Sequence, residues 1–156
     1  MKRIILAFGI VLLLATQSFA AWTLTPSWVS KYAHYVQWKV ICTSDGDALA
    51  KTDLVALMPA GLKAVAQGST MMILKVSPGL TTVAPDNTFT VTLSDAQGAA
   101  VFTQTAVSNT ADTTGLSLAK DFNQYPTVSS AFYLTLTDIG TAGDQVTLYF
   151  ECWVED

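Results

Sequence analysis

The chain has 156 residues, with 8 basic and 12 acidic side chains and one histidine, for a formal net charge of −4. Its only arginine is Arg3, and beyond residue 20 the basic groups are Lys31, Lys39, Lys51, Lys63, Lys75 and Lys120, scattered along the sequence. Phosphate backbones are held by clustered cations and often by the bidentate fork of arginine, so neither nucleic acid nor an anionic lipid surface is an expected partner.

The first element is a leader. Lys2 and Arg3 precede an uncharged, apolar run from Ile4 to Ala15, and Ser18 and Ala20 put small residues where a signal peptidase reads them. The run makes roughly 18 Å of helix, short of the ~20 residues that cross a bilayer, so no stable membrane anchor is expected. Residues 1–20 therefore read as a signal peptide, cleaved after Ala20, and residues 21–156 as a single all-β domain in a secreted or periplasmic location. Losing Lys2 and Arg3 leaves 6 basic against 12 acidic groups, a net charge of −6. The remaining 136 residues suit one core that buries about two-thirds of the unfolded surface.

After the leader, Trp22, Trp28, Tyr32 and Tyr35 form an aromatic cluster. From His34 to Thr43, the residues His34, Val36, Trp38, Val40 and Cys42 alternate with Tyr35, Gln37, Lys39, Ile41 and Thr43, the two-residue period of a strand with one buried face. Asp45, Gly46 and Asp47 end it with turn chemistry. Between Leu49 and Gln67, Thr52 or Asp53 can cap a helical turn or two carrying Leu54, Leu57 and Met58 before Pro59. Met71 to Val76, Asn87 to Leu93, Ser130 to Thr137 and Gln145 to Val154 read as further strands, the last setting Val146, Leu148, Phe150, Cys152 and Val154 against Thr147, Tyr149, Glu151 and Trp153. Thr103 to Val128 reads as a long loop with a short edge segment. One-face alternation and hairpin-sized joins favour antiparallel pairing. The expected fold is a single antiparallel β-sandwich or jelly-roll-like domain of about seven or eight strands.

The stretch Pro85-Asp86-Asn87-Thr88-Phe89-Thr90-Val91-Thr92-Leu93-Ser94-Asp95-Ala96-Gln97-Gly98, followed by Phe132 to Leu136 and Val146 to Phe150, resembles small β-sandwich proteins of tailed-phage structural gene regions. The strand around Trp38 and the Pro78-Gly79 turn are similar as well, so the resemblance covers about Tyr35 to Phe150. It implies a virion-associated or assembly role without catalytic residues.

Chemistry-bearing motifs are scarce. His34 is the single histidine and reads as structural or at a strand rim, and one histidine cannot build a His-rich zinc site. There is no Gly-x-Ser-x-Gly elbow for a serine nucleophile and no glycine-rich phosphate cradle. Glu151 and Glu155 at the end of the chain make a poor glycosidase pair, and most aspartates sit in turns. Asp45 and Asp47, with Asp53 further on, offer oxygen ligands for calcium but lack the glycine and terminal glutamate of an EF-hand loop. No catalytic residue, cofactor or metal site is therefore assigned.

Two further expectations concern specific side chains. Cys42 and Cys152 each continue an apolar row, and with export to an oxidising compartment they are expected to form an intramolecular disulfide. Tyr149 and Trp153 fall on the opposite phase of the last strand, where they either form an interaction surface or lie beneath an N-terminal strand. The leading expectation is an exported, non-enzymatic structural or interaction protein, an assembly or virion-like subunit, with a protein partner or self-association. The alternative is a secreted glycan-binding module using surface aromatics, and an enzyme stands third.

Overall fold

The computed structural model describes residues 21–32, 34–79, 84–111, 113–117, 127–128 and 131–154. The expected signal peptide, residues 1–20, lies outside them.

The domain is an all-β sandwich of two antiparallel sheets. The strands are β1 (Thr23–Tyr32), β2 (Tyr35–Thr43), β3 (Leu49–Asp53), β4 (Thr70–Pro78), β5 (Phe89–Ser94), β6 (Ala100–Val107), β7 (Thr113–Ser117), β8 (Tyr133–Thr137) and β9 (Gln145–Trp153). One sheet has the order β1-β2-β9-β4-β7 and the other β3-β8-β5-β6. Two short helices, α1 (Leu54–Leu57) and α2 (Ala60–Ala66), lead from β3 to β4.

Alternation builds the core as the sequence suggests. Val36, Trp38, Val40 and Cys42 of β2 and Val146, Leu148, Phe150 and Cys152 of β9 are all fully buried, while the residues between them keep partial exposure. The opposing sheet supplies Phe89, Val91, Leu93, Phe102, Leu134 and Leu136 to the same apolar cluster. At the centre Trp38 and Phe150 are cross-strand partners whose rings stack, with centroids 4.1 Å apart and planes 12° apart. Phe132, just before β8, meets Phe150 edge-on at 6.4 Å and links the layers.

The helical crossing follows the expected capping. Asp53 accepts a hydrogen bond from Val55 N at 2.9 Å and caps α1, and the same oxygen accepts from Phe132 N at 3.2 Å. One carboxylate thus fixes a helix start to the entry of β8. Pro59 stands at the N-terminal boundary of α2, so it opens a second helix as well as ending the first.

The expected disulfide is corrected by the register. Cys42 and Cys152 are both buried and both free. They lie on neighbouring strands and point to the same side, but Cys42 faces Val146 and Cys152 faces Val36. The offset is six residues (152 − 146), or roughly 20 Å along the strand, whereas bridged Cα atoms lie within about 7 Å. Alternation assigns a residue to a face and leaves its height along the strand open.

Three further differences have simple causes. β1 pairs with β2 at the sheet edge, register Thr23 with Thr43 through Tyr32 with Tyr35, so it extends the layer and covers neither Tyr149 nor Trp153. The region expected as a long loop holds most of β6 and all of β7, and β6 ends in a bulge where Ala106 has φ 52°, a left-handed conformation that spoils the sequence pattern. The strands number nine among the described residues, against the seven or eight expected.

Candidate interaction surface

The outer face of the five-stranded sheet is built by the residues left over from core formation. Because β1, β2, β9 and β4 are in antiparallel register, these residues line up in rows across the strands. The first row runs Tyr32, Tyr35, Trp153, Thr70; the second Ser30, Gln37, Glu151, Ile73; the third Ser27, Lys39, Tyr149, Lys75; the fourth Thr25, Ile41, Thr147, Ser77. Successive rows are two residues apart, roughly 7 Å.

The first row is aromatic and open. Tyr32 is 71% exposed and Trp153 45%, against complete burial for Trp38 two positions inward in phase. The His34 ring stacks on Trp153 with centroids 5.3 Å apart and planes 23° apart, and the His34 carbonyl accepts from Val154 N at 2.7 Å. His34 therefore sits at the rim, as expected, but against the outer face instead of continuing the buried row of Val36.

The second row is polar and tied together. Gln37 Nε2 donates to Glu151 Oε1 at 3.0 Å, and the Tyr35 hydroxyl also hydrogen-bonds the Glu151 carboxylate. Desolvation, followed by that hydrogen bond and the nearby negative charge, pushes the Tyr35 phenol up to about 12. In the third row Lys75 Nζ lies 5.6 Å from the centre of the half-buried Tyr149 ring, and Lys39 is on the other side.

Of the expected surface residues, Trp153 is exposed and Tyr149 is half-buried in the same face, two rows away. Tyr32 and Tyr35 join Trp153 through register, which single-strand periodicity does not contain. The edge strand itself is protected against strand addition by Pro26, a register shift at Val29 and Lys31. Trp28, Val29 and Leu57 add exposed apolar area near that edge.

The clefts lie elsewhere. A cleft of about 650 Å³ is lined in part by Asp47, Asn87, Asp138 and Gly140, at the loop end of the sandwich. Its polar groups hold turns: Asp45 accepts from Asp47 N at 3.0 Å, Asp138 from Thr137 Oγ1 at 3.2 Å, and the neighbouring Asp144 from Thr141 N at 3.0 Å. Gly140 has φ 112°, and a Cβ there would stand 2.7 Å from Asp144 Oδ2. Asp53 is occupied at the α1 cap, six residues beyond Asp47, so the structure does not gather Asp45, Asp47 and Asp53 into one calcium loop. Among the described residues no group of three or more His, Cys, Asp or Glu side chains is placed to hold a metal ion, and no helix is long and apolar enough to cross a membrane.

Comparison of the chain with family models, with curated proteins and with solved structures returned no match.

Proposed function

We propose that the chain is an exported, non-enzymatic structural or interaction protein whose contact surface is the outer face of the five-stranded sheet. The observation that carries this reading is the placement of Tyr32, Tyr35 and Trp153 on three neighbouring strands in one row, two of them well exposed. Tryptophan and tyrosine bring large, rigid contact area at little cost in rotamer freedom, and they dominate the energetics of protein interfaces. Exposed clusters of this kind mark contact sites on soluble domains. The resemblance to phage structural proteins points the same way, toward an assembly role.

The glycan reading uses the same aromatics. Two contacts weigh against it: one face of the Trp153 indole is already taken by His34, and the nearest carboxylate, Glu151, is engaged by Gln37 and Tyr35. A sugar platform needs a bare ring face and polar groups turned outward.

Trp153→Ala is the direct test. With the fold retained by circular dichroism, the variant is expected to weaken self-association or capture of a partner from native material by about 30-fold, the effect of a hot spot of ~2 kcal/mol. Unchanged oligomer mass together with unchanged capture would remove the assignment.

Export rests on the leader alone, because two free thiols no longer favour an oxidising compartment. Secreted material is expected to begin at Ala21 by intact mass. Full-length chain in a soluble intracellular fraction of the native host would overturn export without touching the surface assignment.

A further inference from the structure

We infer that the occupant of this face is a second copy of the chain, packed sheet against sheet about a twofold axis that runs across the strands between the Glu151 row and the Tyr149 row. The inference rests on the surface proposed above and adds the partner and its register.

Charge placement selects the arrangement. Glu151 lies one row from Lys39 and Lys75, which flank Tyr149 on the two neighbouring strands. A twofold axis along β9 would set Lys39 of one copy against Lys75 of the other. An axis through the Tyr149 row would oppose Lys39 to its own copy, and one through the Glu151 row would oppose the two carboxylates. Only an axis between these rows places each Glu151 over the other copy's Tyr149, with Lys39 and Lys75 on either side. Like charges face to face cost several kcal/mol, so such a pattern fixes register as well as attraction. A twofold interface is satisfied twice by one complementary set.

The same operation sets the aromatic row over the fourth row. Trp153 then covers Thr147 of the second copy, and Tyr35 covers Ile41, an aromatic against a β-branched side chain in both cases. Strands nine residues long in a five-stranded layer present a face on the order of 600–700 Å². That approaches the ~800 Å² per partner of a standard stable interface. Edge-to-edge pairing through β1 is opposed by Pro26, the bulge at Val29 and Lys31, which leaves the face as the route to association.

Sedimentation velocity of the purified protein over a range of concentrations tests the proposal through a charge exchange. A dimer is expected, and Glu151→Lys or Lys39→Glu alone should weaken it at least tenfold. An equimolar mixture of the two variants should restore a dimer that contains one of each. If either variant fails to fold, Thr147→Arg takes its place, since it projects into the other copy's Trp153 and is expected to abolish the dimer while leaving the monomer folded. A protein that stays monomeric at about 100 μM overturns the inference, as does a dimer unmoved by these substitutions. A monomer that captures an oligosaccharide or another protein in a Trp153-dependent way also overturns the second copy, but leaves the surface assignment standing.

Discussion

Trp38→Ala is expected to lose about 3–5 kcal/mol of stability, enough to unfold much of a domain whose total stability is of the order of 5–15 kcal/mol. Trp38 is fully buried, stacks on Phe150 at 4.1 Å, and lies at the middle of β2, whose neighbours β1 and β9 flank it in the sheet. Alanine leaves a void at the one place where Phe150 and, through it, Phe132 join the two layers. Neighbouring strands are hydrogen-bonded in the sheet and cannot collapse into the space, so the cavity persists and its cost adds to the lost transfer energy. Trp38→Phe separates two contributions. The indole Nε1 is buried without a hydrogen-bond partner, and the Cys152 sulfur beside it is only a weak acceptor. Deleting that N–H therefore forfeits volume but no strong bond, and the phenylalanine variant should lose less than half as much. Urea denaturation checks both, read as a shift in midpoint at constant slope. A loss under about 1 kcal/mol for Trp38→Ala would show that this ring is not the keystone of the core.

The core was legible because it rests on a local rule. Each of Val36, Trp38, Val40, Cys42, Val146, Leu148, Phe150 and Cys152 follows a two-residue period that a single strand displays on its own. The α1 cap was legible for the same reason, since Asp53 and the backbone it accepts from are two residues apart. What escaped depends on register between strands distant in sequence. The row of Tyr32, Tyr35 and Trp153 exists only because β2 lies between β1 and β9 with Tyr35 opposite both partners, and no spacing along the chain encodes it. The thiols failed in the same way: their faces were right and their heights were not. β6 and β7 escaped for another reason. A bulge breaks the alternation at Ala106, and β7 is a five-residue edge strand paired only with β4, so neither carries a sustained period. The surface was thus half visible, as Trp153 and Tyr149 on one strand, and became a surface once the sheet supplied their neighbours.

Raising the pH above about 9 is expected to destabilise the fold progressively, and Cys42→Ala is expected to remove a large part of that loss. Burial pushes the Cys42 thiol from 9.0 up to about 12, because a thiolate in the apolar core has no water and no cation to stabilise it. The Cys152 thiol is also raised by burial, with the Trp38 and Ser69 side chains partly offsetting the effect. Below pH 9 both the folded and the unfolded chain keep these protons, so the contribution is fully present. Between about 9 and 12 the unfolded chain releases the Cys42 proton while the folded chain holds it. The unfolded state then binds fewer protons, and stability falls as the pH rises. The slope approaches about 1.4 kcal/mol per pH unit for one thiol, and over the interval the Cys42 contribution is on the order of 4 kcal/mol. Tyr35, also raised to about 12, acts in the same direction and should leave a residual slope in a Cys42→Ala, Cys152→Ala protein. Urea midpoints at pH 8 and pH 10.5 for the wild type and these variants measure the difference. A thiol reagent at pH 8 should leave the native protein untouched and label two groups once it is unfolded without reductant. An unfolded, unreduced chain with no reactive thiol would restore the disulfide and contradict the register of β2 against β9, on which the surface rows also depend.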